Sequence, residues 1–179
     1  TGTRTYPWRV FMLAGNAISL VESDAVWALA EPCRIADTSW IRPGLAVWDW
    51  WHDDNVADLG FPSGFDTRTF KAYIDFAAEC GLHDVVVDAG WSDGLDLDKI
   101  KPGFDLEGLV AYGKEKGVSL VLWAPMSDLC DTQRRRRLFR RYADMGIKGF
   151  KIDFFDRDDA HIAGIVAEMA EDAAECRLL

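Results

Sequence analysis

The sequence predicts an α/β fold, a partial (β/α)8 TIM barrel of about four βα units with a short N-terminal β segment. Three observations lead there. Four short apolar runs, Gly44–Trp51, Asp84–Trp91, Ser119–Met126 and Gly149–Phe155, are bounded by Gly or Pro and rich in Val, Leu, Ile and Trp, as strands buried on both faces are. Each is followed by a segment with apolar residues at helical spacing. The runs start near residues 45, 85, 119 and 150, about 31 to 40 residues apart, the interval of strand–helix units in parallel sheets with right-handed crossovers. A complete eight-unit barrel takes roughly 250 residues. The 179 residues here are therefore half of a barrel, or an open doubly wound sheet of four strands.

The intervening segments read as helices. Asp66 or Thr67 can cap the first, whose apolar positions Phe70, Ile74 and Ala77 recur at 3.6 spacing before Gly81. Phe104 to Lys116 turns Leu106, Leu109 and Val110 to one side and stops at Gly117. Asp131 to Met145 carries Leu138, Tyr142 and Met145 inward, and Asp158 to Cys176 carries Ile162, Ile165, Val166, Met169 and Ala173. Before them, Trp8–Ala14 and Ala25–Ala30 look like strands, and Pro32 and Pro43 bracket a linker. Residues 1–38 thus read as the tail of a preceding β-sandwich domain with its linker, and 39–179 as the first half of a catalytic barrel.

Composition narrows the function. Thirty Asp and Glu against twenty Lys and Arg leave a net charge of −10, which repels phosphate backbones and anionic membranes. No apolar run reaches the roughly 18–20 residues of a membrane span, so neither nucleic acid nor membrane is an expected partner. The basic cluster Arg134–Arg137 with Arg140 and Arg141 spreads around a helix and reads as a salt-bridged outer face. Cys33, Cys80, Cys130 and Cys176 are scattered and form no CxxC, so they read as small apolar fillers. Nucleotide-binding GxGxxG and GxxxxGK motifs are absent, as are GxSxG and HExxH.

Carboxylates stand instead where strands end. Residues two apart share a strand face, so Lys151 and Asp153 point one way and Phe150, Ile152 and Phe154 the other. The apolar set belongs against the helices, which leaves Lys151 and Asp153 in the lumen, near the C-terminal barrel end where active sites lie. Asp88 ahead of Trp91, and Asp49 among Trp48, Trp50 and Trp51, repeat the pattern, although a strand-end Asp also caps the following loop. Trp91 and Trp123, at strand ends, are candidate walls for a ligand with apolar C–H faces. His52 could hydrogen-bond a substrate hydroxyl or be a loop residue.

Taken in order, Ser39–Trp40–Ile41–Arg42–Pro43–Gly44, Trp48–Asp49–Trp50–Trp51, Val87–Asp88–Ala89–Gly90–Trp91 and Gly146–Ile147–Lys148–Gly149–Phe150–Lys151–Ile152–Asp153–Phe154–Phe155–Asp156–Arg157–Asp158–Asp159 resemble glycoside hydrolase family 97 over nearly the whole chain. The resemblance implies an N-terminal β-sandwich, a (β/α)8 barrel and a C-terminal β domain. It further implies exo-acting α-glucosidase or α-galactosidase activity on oligosaccharides or α-glycosides, a calcium ion, and a periplasmic or secreted setting.

Retaining members carry an Asp nucleophile at the end of the fourth strand, where Asp153 stands, so the resemblance implies the retaining, α-galactosidase-like branch. It makes Lys151 and Asp88 ligands of sugar hydroxyls. The family's acid/base Glu and its calcium ligands find no match here. The polypeptide therefore reads as part of an enzyme and is not expected to turn over substrate unaided. An inverting α-glucosidase is the enzymatic alternative, and a non-catalytic half-barrel that associates or binds sugar is the other. A doubly wound domain for a phosphorylated ligand is disfavoured by the missing Gly-rich turn. Two open sheet edges predict a homo-oligomer.

Overall fold

A computed structural model describes residues 9–52 and 55–179, without the side chains of residues 51 and 52. The chain divides into two compact units, Thr1–Ala36 and Asp37–Leu179. The first unit departs from expectation. Trp8 lies outside the described residues, 9–14 has no regular structure, helix α1 (Ala17–Val21) occupies the connection, and helix α2 (Ala25–Leu29) replaces the second strand. The Asn16 side chain accepts the Ser19 N–H at 3.0 Å and caps α1. A strand needs a partner ladder, whereas the Ala- and Leu-containing α2 closes its own bonds, such as Ala30 N–H to the Val26 carbonyl at 3.0 Å.

In the second unit, strands β1 (Ala46–Trp48), β2 (Asp84–Val87), β5 (Ser119–Pro125) and β6 (Gly149–Asp153) form one parallel sheet. Between β2 and β5 the chain makes an antiparallel hairpin, β3 (Ser92–Asp93) and β4 (Asp96–Ile100). The helices are α3 (Thr67–Glu79), α4 (Leu106–Lys116), the short α5 (Met126–Leu129), α6 (Thr132–Met145) and α7 (Ala160–Glu175). The sheet order is β1-β2-β5-β6. It follows the chain without reversal, so there is no switch point of the doubly wound kind, and the arrangement is that of consecutive barrel units.

Register sorts the side chains into two faces. Val85 pairs with Leu120, Val87 with Leu122, Leu122 with Phe150 and Ala124 with Ile152. These rows pack on the helices, joined by Phe70, Ile74 and Ala77 of α3, Leu106 and Leu109 of α4, and Leu138, Phe139 and Tyr142 of α6. Asp66, Asp105, Asp131 and Asp159 cap α3, α4, α6 and α7 through their carboxylates. Val166 of α7 is exposed rather than inward. The hairpin β3–β4 was not foreseen. Its two-residue turn puts Gly94 and Leu95 at φ +60° and +66°, the left-handed pair that matches hairpin twist.

The N-terminal end of the sheet is tied by Lys148, whose Nζ donates to both Asp84 oxygens at 2.8 and 2.9 Å and to the Arg42 carbonyl at 3.0 Å. The outer edge of β6 is partly occupied. Leu179 N–H donates to the Lys148 carbonyl and Phe150 N–H to the Leu179 carbonyl, both at 2.9 Å. A Cβ on Gly149 would sit on that Leu179 carbonyl, so the close approach requires glycine. Among the described residues, no helix is long and apolar enough to cross a membrane.

Candidate active site at the C-terminal end of the sheet

The second face of the sheet carries the candidate site residues. Trp48 pairs with Val86, Trp123 with Lys151, and Pro125 with Asp153, so these side chains stand opposite the helix layer. In a flat sheet β1 and β6 would be about 14 Å apart, three strand spacings. Yet Lys151 of β6 holds its Nζ 4.2 Å from the Trp48 ring centroid of β1. The two side chains meet across the intervening strands, as on the inside of a curved sheet.

Lys151 is the hub. Its Nζ donates to Asp88 Oδ2 at 2.7 Å and lies 3.5 Å from Asp153 Oδ2. Trp48 Nε1 donates to the same Asp88 oxygen at 2.6 Å, and Ala89 N–H donates to Asp88 Oδ1 at 2.8 Å. Asp88 is 4% exposed; a buried carboxylate needs such donors. It therefore holds Lys151 in place from below rather than standing open to a ligand.

Asp153 is different. Its side chain is 42% exposed, with Oδ1 accepting the Phe154 N–H at 2.9 Å and Oδ2 accepting Trp123 Nε1 at 3.3 Å. The Phe154 N–H first, then the Trp123 indole and the Lys151 ammonium, hold the carboxyl below its ordinary value, against partial desolvation. Asp153 is thus an anion at neutral pH, oriented at both oxygens and open on one side. Such a group can attack an electrophilic carbon.

Three expected contacts are corrected. Trp91 is 0% exposed: its Nε1 donates to the Trp123 carbonyl at 2.8 Å and its ring stands edge-on to Tyr142 at 5.3 Å. Strand alternation does not reach Trp91, because β2 ends at Val87 and a turn with Gly90 at φ +124° intervenes. Trp123 does lie beside Asp153, but at 2% exposed its ring is covered and only its N–H serves the site. Asp49 is buried, and its Oδ1 accepts from Trp50 N–H at 2.9 Å and Asp88 N–H at 3.3 Å. It joins the ends of β1 and β2, the capping role open to a strand-end Asp. The backbone of His52 ends the 3-10 turn Asp49–His52, and its side chain lies outside the described residues.

Two participants escaped the sequence. Trp48 fastens Asp88. Phe154 has φ +59°, a left-handed conformation that costs a bulky L-residue on the order of 1–2 kcal/mol. This breaks the alternation that would have sent its ring to the helix layer. The ring is instead 66% exposed and edge-on to Trp123, with centroids 5.7 Å apart at 76°. Nothing in the sequence signals a left-handed phenylalanine.

The arginine cluster is salt-bridged, as expected. Arg134 bonds Asp96, Asp98 and Asp128, and Arg137 bonds Asp98, which pins the hairpin to α6. Arg135 is the exception to an outer face, being buried with Asp172. Among the described residues no three acidic, His or Cys side chains could hold a metal ion, and Asp96, Asp98 and Asp128 are paired with Lys99, Arg134 and Arg137. The described residues thus assemble no site for a calcium ion. A groove of about 550 Å³ lined by Val110, Lys114 and Ser119 lies at the N-terminal end of the sheet, remote from Asp153.

Comparison with known proteins agrees with this architecture. The sequence model of Glycoside hydrolase 97 matches residues 48–179. A retaining alpha-galactosidase of Bacteroides thetaiotaomicron is 37% identical over 98% of this chain and 27% of its own length. A probable retaining alpha-galactosidase of Streptomyces bingchenggensis is 37% identical over 88% of this chain and 24% of its own. The chain thus spans about a quarter of the length of these curated relatives. A Glycoside Hydrolase Family 97 enzyme from Pseudoalteromonas, solved with acarbose, superposes with TM-score 0.75 at 23% identity, over 92% of this chain and 30% of that one. A beta-arabinopyranosidase gives 0.72 at 24% identity, over 89% and 25%. Both structures speak to the fold alone.

Proposed function

The chain belongs to glycoside hydrolase family 97, and from that premise we propose that it is part of a retaining glycosidase acting on terminal α-galactosides. Asp153 is the nucleophile. The observation that carries this reading is the ionised, half-open carboxylate at the C-terminal end of β6, fixed by Phe154, Trp123 and Lys151. The names of the two curated relatives support the substrate and the stereochemistry.

In the first step an Asp153 oxygen forms a bond to the anomeric carbon as the glycosidic oxygen departs with its electron pair. A second carboxyl group, about 5–5.5 Å away in retaining enzymes, protonates that oxygen. It then deprotonates the water that releases the sugar and regenerates Asp153. This acid/base lies outside the present residues, in the longer enzyme to which they belong (the parent enzyme). The Phe154 N–H, with Trp123 and Lys151, keeps Asp153 ionised; Lys151 also offers N–H donors to sugar hydroxyls, while Asp88 acts through Lys151. The parent enzyme also holds a calcium ion, with its ligands in the rest of that enzyme. A periplasmic or secreted setting and self-association of the isolated chain through its β1 edge belong to the same reading. Light scattering tests the association, and a stable monomer contradicts it.

The experiment is Asp153→Gly in the parent enzyme with an aryl α-galactoside. Turnover falls by about 10³-fold or more, and azide restores it with β-galactosyl azide as product. Unchanged activity, or no glycosyl azide, overturns the assignment. A first-formed β-anomer in the unmodified enzyme would indicate inversion instead.

A further inference from the structure

We propose that Phe154 is the wall on which the bound pyranose lays its apolar face, a role that rests on the glycosidase reading and adds a specificity-determining residue to it. The two tryptophans suited by type to that task are unable to perform it. Trp91 is enclosed in the helix layer and Trp123 is covered. Phe154 is the ring that covers part of Trp123, edge to face at 5.7 Å, and it is itself two-thirds exposed.

Its position follows from one backbone choice. With ordinary strand geometry Phe154 would follow Phe150 and Ile152 into the core. At φ +59° the chain turns, with two results at once. The N–H swings onto Asp153 Oδ1 at 2.9 Å, and the ring swings out beside the same carboxylate. A strained conformation that is kept although it exposes a large apolar ring needs a compensating role. One peptide unit thus orients the nucleophile and sets an apolar surface next to it. A pyranose presents hydroxyls at its rim and C–H bonds on its faces, so a ligand that gives its rim to Lys151 can rest a face on this ring. The ligand class is a hexopyranoside whose C–H face is continuous, such as a galactoside.

The test uses Phe154→Gly and Phe154→Trp in the parent enzyme. Glycine adopts positive φ freely, so the N–H stays on Asp153 while the ring is removed. Galactose binding is measured by calorimetry in the Asp153→Asn background, alongside KM, kcat and the melting temperature. Phe154→Gly raises the galactose Kd and KM about tenfold, with the loss on KM rather than kcat, and melts no lower than the parent. Phe154→Trp restores the affinity. Galactose binding unchanged in Phe154→Gly overturns the proposal. So does a lower melting temperature with unchanged KM, which would show that the ring packs against protein. Hydrolysis that persists in Asp153→Asn would overturn the nucleophile assignment while leaving the Phe154 measurement to stand.

Discussion

Trp91 donates its indole N–H to the Trp123 carbonyl at 2.8 Å, and Trp123 in turn donates its own to Asp153 at 3.3 Å. The two tryptophans therefore form a brace from the helix layer to the candidate nucleophile. Tyr142 extends it, edge-on to Trp91 and bonded through its hydroxyl to the Leu97 carbonyl at 2.6 Å. The hairpin, α6 and β5 are locked together behind Asp153.

Removing the donor tests the brace. Trp91→Phe keeps most of the apolar volume but leaves the buried Trp123 carbonyl without this partner, a loss of about 1–3 kcal/mol. Urea denaturation should show a lower midpoint with an unchanged slope. A midpoint equal to that of the parent chain contradicts the brace.

The buried pair Arg135–Asp172 separates two kinds of substitution. Asp172 Oδ2 accepts Arg135 Nε at 2.7 Å and its Oδ1 accepts Arg136 Nε at 2.6 Å. Asp172→Ala strands a buried guanidinium and should cost about 3–5 kcal/mol. Combining Arg135→Met with Asp172→Leu removes both charges and should recover most of that loss. Equal destabilisation by the single and double changes would contradict the pairing.

Tyr142 gives a pH signature. Burial pushes its hydroxyl up to about 12, whereas in the unfolded chain it titrates near 10. The folded state holds the proton more tightly across that interval. Its contribution to stability is complete below pH 10 and is lost as the pH rises towards 12. Tyrosinate absorbance should show a late-titrating component that Tyr142→Phe removes. All tyrosines titrating together near pH 10, while the chain is still folded, would contradict it.

Asp153 has the opposite sign. The Phe154 N–H, the Trp123 indole and the Lys151 ammonium lower its pKa. The acid limb of kcat/KM in the parent enzyme should therefore lie below the ordinary carboxylate value near 3.9. Lys151→Met should move the limb upward, but only in part, because the Phe154 N–H is the larger influence. A limb that stays where it was would show that Lys151 exerts no field on Asp153.

Helix positions were legible wherever an apolar stripe met a cap, as with Phe70, Ile74 and Ala77 between Asp66 and Gly81. The outlook of Lys151 and Asp153 was legible because strand alternation is strict. That rule does not extend to Trp91, which follows the end of β2 at Val87 and the turn through Gly90. Three features had no local signal. The hairpin strand Asp96–Ile100 is short and charged, and it is held by arginines more than thirty residues away. The N-terminal segment 25–29 closed its own helical bonds in place of a strand ladder. Phe154 turned left-handed against its residue type. Each was decided by tertiary or strained geometry that periodicity does not encode.

The central claim is that Asp153 forms a bond to the anomeric carbon. Incubating the parent enzyme with a fluorinated α-galactosyl fluoride that slows deglycosylation, followed by peptide mapping by mass spectrometry, reads it directly. A galactosyl adduct on the peptide containing Asp153 is the predicted result. An adduct on another carboxylate, or turnover with none, would contradict it.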